Sequence, residues 1–278
     1  MLRCAIIFTL ILIQSSAAQF TPGARQLSLS CSDAATGTDI FSFVSNPAAT
    51  SQISSPGAGV FYLPSPFGMK ELAQISFAAS YSFAPFSAAA GFMHYGYELY
   101  TKNIISVSIS AQPEEQFSAG ITLNYHHLSV KNYNSTGSIT VDAGILYSIS
   151  EALSSGFSIR NLTRASIGKQ SDQLPVILTA GISYTPQRIA EISFSLEKEL
   201  ESGADISAGI ELFPVDFFVI RCGVASYPQS YSGGIGVLYG LLEFSYGVFS
   251  HSDLGLTHFI GIIISASSVK ETKSAVTF

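Results

Sequence analysis

The sequence predicts an all-β protein: a transmembrane antiparallel β-barrel of about 14 strands. Three observations lead there. Charged residues make up only 12% of the 278-residue chain, half the ~25% of an ordinary soluble domain, while the mean hydropathy is +0.37. Beyond the N-terminus no apolar run approaches the ~20 residues that a membrane-spanning helix needs. Apolar residues instead recur at every second position almost to the C-terminus, the spacing of a strand and not of a helix. The competing architecture, a large soluble β-sandwich, would carry Lys, Glu and Arg on its outer face; here the polar positions are small and seldom basic.

The elements follow in chain order. Residues 1–18 read as a secretion signal: Arg3 is a short positive region, "CAIIFTLILI" (4–13) an apolar core, and "QSSAA" a small-residue cleavage site that leaves Gln19 as the new N-terminus. Residues 19–55 read as a separate N-terminal segment containing Asn-Pro-Ala, and residues 56–278 as the outer-membrane barrel. Within the barrel the alternation is plain in "SITVDAGILYS" (138–148), "VILTAGISY" (176–184), "AEISFSLEKEL" (190–200), "DISAGIEL" (205–212) and "LEFSYGVF" (242–249). Short connections such as "SEAL" (150–153), "FPVD" (213–216) and "YGLLE" (239–243) alternate with longer polar ones, "VKNYNSTGS" (130–138), "IGKQSDQLP" (167–175), "SYPQSYSGG" (226–234) and "SHSDLGLTH" (250–258). Short turns on one side and longer loops on the other match a bacterial outer-membrane barrel, so the expected surroundings are outer-membrane lipid.

The polar parity of these strands carries Ser, Thr and Gly together with Asp142, Arg160, Glu191, Glu197, Asp205, Glu211, Arg221 and Glu243. These charges are expected to face the lumen and to pair there, with Arg160 and Arg221 at the centre, because unpaired buried charge is costly. On this reading Glu211→Gln is a far milder change than Ile210→Arg on the lipid face. The net charge of −6 argues against nucleic acid. No nucleophile elbow of the Gly-x-Ser-x-Gly type is present, and the adjacent His126 and His127 point to opposite faces of a strand, so they cannot chelate together. The chain therefore reads as non-enzymatic, without a metal or cofactor. Cys31 and Cys222 read as unpaired.

The stretch "PGARQLSLSCSDAATGTDIFSFVSNPAATS" resembles the N-terminal signature of FadL-like outer-membrane proteins, particularly the PorV/PorQ branch. Gly23, Ala24 and Arg25 fall on its first element, Asp39 on its turn, and Asn46, Pro47 and Ala48 on its last. "GFSIRNL" (156–162), "LPVILTAGISYTP" (174–186), "AGIELFPVDFFVIRCGV" (208–224) and "LGLTHFIGIII" (254–264) follow the order of strand motifs in those barrels. Cys31 stands where the family tends to have glycine, and the long ligand-binding loops of FadL transporters are missing. The resemblance implies a 14-stranded barrel whose N-terminal segment, residues 19–55, lies inside or caps the barrel as a hatch. Its PorV/PorQ branch implies a role in type IX-like protein secretion or surface attachment, with secretion machinery or exported proteins as partners. The alternative is FadL-like transport of hydrophobic small molecules. A conduit should show an apolar pocket behind the hatch and a kinked wall strand; a secretion partner should show a filled lumen.

Overall fold

A computed structural model describes residues 23–37, 39–168, 172–186, 189–200, 203–251 and 254–266. The signal-peptide reading of residues 1–18 lies outside them. The described chain begins with α1 (Ala24–Ser28), α2 (Ser42–Ser45) and a 3-10 helix over Pro47–Gln52. The strands follow: β1 (Gly57–Leu63), β2 (Gln74–Phe83), β3 (Phe86–Tyr97), β4 (Tyr100–Glu114), β5 (Phe117–Val130), β6 (Asn134–Ser150) and β7 (Leu153–Arg160). A loop holds the small hairpin β8 (Ser166–Ile167) and β9 (Asp172–Gln173). The wall resumes with β10 (Ile177–Tyr184), β11 (Ala190–Glu199), β12 (Ala204–Val215), β13 (Phe218–Ser226), β14 (Gln229–Tyr239), β15 (Leu242–His251) and β16 (Gly255–Ser265).

Fourteen of these strands, all but β8 and β9, form one closed antiparallel barrel in which sequence neighbours pair and β1 meets β16. Closure satisfies every strand edge, which is the condition for a sheet to sit in hydrocarbon. The two faces separate by parity. Ile206 is 59% exposed beside Ser207 at 6%, and Phe194 is 54% exposed between Ser193 and Ser195 at 1% and 4%. Ile105, Val107 and Ile109 point out while Ser106, Ser108 and Ser110 point in. An apolar exterior over a polar, small-residue interior is the lipid-facing arrangement.

One mouth, the turn end, carries the start of β1, the end of β16 and tight connections such as Ala84-Pro85, Ala152 and Asp216-Phe217. The other, the loop end, carries residues 64–73, 161–168 and 172–176. Two of the predicted long loops are shorter than the sequence suggests. In "SYPQSYSGG" the turn is Tyr227-Pro228 and β14 already begins at Gln229; in "VKNYNSTGS" β6 begins at Asn134. In β14, Ser230, Ser232 and Gly234 fall on the lumen parity, while in β6 Thr136 and Ser138 do so and Ser135 and Gly137 share the outward parity of Ile139; composition alone cannot separate strand residues of this kind from a loop. Register shifts in the wall occur at Ala111/Glu114, Ser148/Ser150 and Leu212/Val215, all near the turn end.

Candidate functional site

The segment from Gly23 to Ile53 lies inside the barrel, where nearly all of its residues are buried. What admits a folded peptide into so narrow a lumen is a belt of small residues on the wall. A Cβ on Gly120 of β5 would strike the Pro47 carbonyl, and one on Gly144 of β6 would land on Asn46 Oδ1. Gly156 and Gly181 abut Ala34, Gly209 and Gly223 abut Leu29, Gly234 abuts Ser28, and Gly261 abuts Ala24. Ser158, Ser193 and Ser232 fill the gaps and hydrogen-bond the segment. The sequence signal for this belt was the recurrence of Gly on the polar parity; it shows that the interior is crowded, but not what crowds it.

The two signature triplets anchor this segment at opposite ends. Gly23 caps α1 in extended backbone, and a Cβ there would stand 2.6 Å from Gln26 Oε1 and 2.9 Å from Phe41 Cγ. Ala24 packs at Gly261. Asn46 is the busier anchor: its Oδ1 accepts from the Ala48 N–H, opening the 3-10 helix, while its Nδ2 donates to the Ala34 and Ile145 carbonyls at 2.8 and 3.1 Å. One side chain thus ties two turns of the segment to the wall. Pro47, whose missing N–H costs nothing at a helix start, follows it, and Ala48 is wholly buried against Leu146.

Arg25 carries the ionic contact. Its Nη2 donates to Glu191 at 2.8 Å and to Glu211 at 3.0 Å. Glu211 also accepts from Arg221 Nε at 2.7 Å, and Arg221 Nη2 donates to Glu243 at 2.7 Å. The result is a chain, Glu191–Arg25–Glu211–Arg221–Glu243, sealed near the turn end, with Arg221 and Glu211 each 1% exposed. This corrects the single network expected from the sequence. Arg25, assigned there only to the signature, is the second hub. Arg160 pairs with Glu197 away from this chain, toward the loop end. Asp142 forms no ion pair among the described residues and instead accepts from Asn124 Nδ2 and the Asn161 N–H. Asp205 caps the Tyr227-Pro228 turn by accepting from the Ser226 and Tyr227 N–H groups. The polar parity of the eight strand charges was legible; which partner each finds depends on strand order and on the inserted segment.

Two further carboxyls are buried in the segment itself. Burial pushes Asp33 up, against the pull of Arg25 and the Ser45 hydroxyl. Burial also pushes Asp39 up to about 6, with the hydrogen bond from the Phe41 N–H acting the other way. Cys31 and Cys222 are both free thiols. Cys31 has φ 58, the left-handed region that favours glycine, which accounts for glycine at this place in the signature.

Above the segment, toward the loop end, lies a cavity of about 280 Å³. Its floor is Leu27, Ser30, Cys31, Ala34, Val44 and Ser45. One wall is apolar and aromatic: Leu63, Pro66 and Phe67 with Phe249, where the Phe67 ring lies 6.1 Å from Phe249 and 5.8 Å edge-on from His251. The facing strands present Lys102, Asn124, His126, Asp142, Arg160 and Glu197. His126 Nε2 lies 3.0 Å from Thr140 Oγ1. A cavity with one greasy and one hydrogen-bonding wall can hold a small molecule of mixed character.

No family model matches the chain, and no curated protein matches it in sequence. Solved structures do match in fold. The Ralstonia pickettii toluene transporter TbuX aligns with a TM-score of 0.65 at 11% identity, over 87% of this chain and 97% of that one. The monoaromatic hydrocarbon channel CymD aligns at 0.65 and 12%, over 90% and 98%. A Pseudomonas aeruginosa FadL homologue aligns at 0.58 and 10%, over 88% and 97%. The shared feature is the fold: a closed 14-strand antiparallel barrel like those of FadL-like outer-membrane proteins. These similarities reach the FadL-like barrel and stop short of the PorV/PorQ branch.

Proposed function

We propose that the chain is an outer-membrane conduit for small hydrophobic molecules, with the N-terminal segment acting as its hatch. The observation that carries this reading is the cavity of about 280 Å³ directly above the hatch, with Leu27 and Val44 in its floor and Phe67 and Phe249 in its wall. An apolar cavity of ~150 Å³ holds benzene, so this one has room for a substituted ring. The matched structures named for toluene and monoaromatic hydrocarbons favour the same reading over protein secretion. A secretion partner calls for a filled lumen; here the loop-end half holds a cavity. The other mark expected of a conduit, a kinked wall strand, has no counterpart among the described residues beyond the shifts near the turn end. The hatch in this reading is held by Arg25 at the ionic chain and by Asn46 at the wall, and a solute passes when those contacts part.

The test is uptake of the apolar dye N-phenylnaphthylamine by cells carrying the chain in their outer membrane. Uptake several-fold above empty cells is expected, falling back when Ser207→Trp fills the cavity it lines. Dye uptake at the empty-cell level, with secretion machinery recovered on the purified barrel, would overturn the conduit in favour of the secretion role.

A further inference from the structure

The interior charges are not balanced, and the imbalance recurs at both levels of the lumen. Around the cavity, among the described residues, Asp142, Glu197 and Asp205 face Lys102 and Arg160. At the hatch, Glu191, Glu211 and Glu243 face Arg25 and Arg221, and Asp33 and Asp39, which burial pushes toward the neutral form, add to the excess only in part. A carboxylate excess inside a wall with lipid behind it is felt more strongly than the same charges in water, because the low-dielectric surround concentrates the field in the lumen. The opposite wall of the cavity is aromatic, with Phe67 and Phe249 packed together and His251 edge-on to Phe67. Ring faces attract cations and offer nothing to a carboxylate. Both walls thus discriminate by charge in the same sense.

We propose that the cavity selects hydrophobic solutes by charge, accepting neutral and ammonium-bearing ring compounds and turning away carboxylates. This rests on the conduit reading and adds to it the class of solute. The geometry assigns the ring to the Phe67–Phe249 wall and the ammonium to the side of Asp142, which joins no ion pair among the described residues. Lys102, also outside every ion pair among those residues, works against the preference from β4 and sets its limit. A carboxylate meets repulsion again at the hatch, where a cation does not.

The experiment uses Cys31, the thiol in the cavity floor, as reporter; burial and the nearby Asp33 push this thiol up and slow its reaction, so the reagent is used in large excess. The full chain in detergent at neutral pH is treated with N-ethylmaleimide, and the Cys31 adduct is followed by peptide mass mapping. Benzylammonium, benzyl alcohol and benzoate are compared as protectants. Benzylammonium and benzyl alcohol are expected to slow labelling at concentrations at least about tenfold below benzoate. Lys102→Gln should widen that ratio and Asp142→Asn should narrow it. Benzoate protecting as well as benzylammonium, or a ratio unmoved by both variants, overturns the charge selection while the conduit stands. If none of the three protects Cys31, the cavity takes no ring compound and the conduit reading falls with the proposal.

Discussion

The hatch is gripped differently on its two sides. Toward β1–β3 and β16 the contact is apolar: Ala24, Leu27, Ile40, Phe41 and Phe43 pack against Phe61, Leu63, Ala78, Ala89 and Phe259. Toward β11–β15 it is ionic, Arg25 bridging Glu191 and Glu211 with Arg221 and Glu243 beyond. The apolar side is non-directional and depends on volume. The ionic side is directional, and each member depends on its neighbours keeping their charge. One side therefore tolerates substitution and the other does not.

The largest effect is expected from Glu211→Ala. It strips a partner from both Arg25 and Arg221 in a sealed site, a loss of about 3–5 kcal/mol. Trypsin cleavage after Arg25, blocked while that residue is buried, is the measurement; unchanged resistance would mean the ionic side does not hold the hatch. Gly144→Ala tests the belt between the two sides. Its methyl group lands on Asn46 Oδ1, which is fixed by its bond to the Ala48 N–H, and overpacking of this kind costs about 1–3 kcal/mol. A lowered unfolding temperature with the barrel still heat-modifiable on gels is the expected result. Smallest is Phe43→Leu on the apolar side, where a volume-near swap costs less than about 1.5 kcal/mol. If trypsin susceptibility rose as much for Phe43→Leu as for Glu211→Ala, the contrast between the sides would collapse.

Glu211 shows where sequence reasoning reached its limit. Its parity placed it in the lumen, and there it appeared interchangeable with Glu197 or Asp205. In the structure Glu197 pairs only with Arg160 among the charged residues described, Asp205 caps a turn, and Glu211 joins two buried guanidiniums. Amidation at Glu211, read from the sequence as far milder than Ile210→Arg, falls on a side chain that is 1% exposed and shared by two guanidiniums. Arg25 was hidden for the same reason: it lies outside the strands, so no periodicity could place it. The cavity was equally illegible, since its floor comes from the hatch and its walls from strands far apart in the chain.

The parity of the strands was written in the sequence, because side chains alternate across a strand wherever it sits. A lipid-facing wall needs apolar residues on one parity and a crowded lumen needs Ser, Thr and Gly on the other, so barrel, strand number and facing were all available from residue order. Gly23–Arg25 and Asn46–Ala48 marked the N-terminal segment through their resemblance to a family signature, and residue by residue only Asn46-Pro47 was readable, as a turn. The tertiary structure alone decided how deep that segment sits, which carboxylates Arg25 meets, and where space is left over. Those depend on distances between residues separated by most of the chain, which are set only when β1 closes on β16 around the hatch.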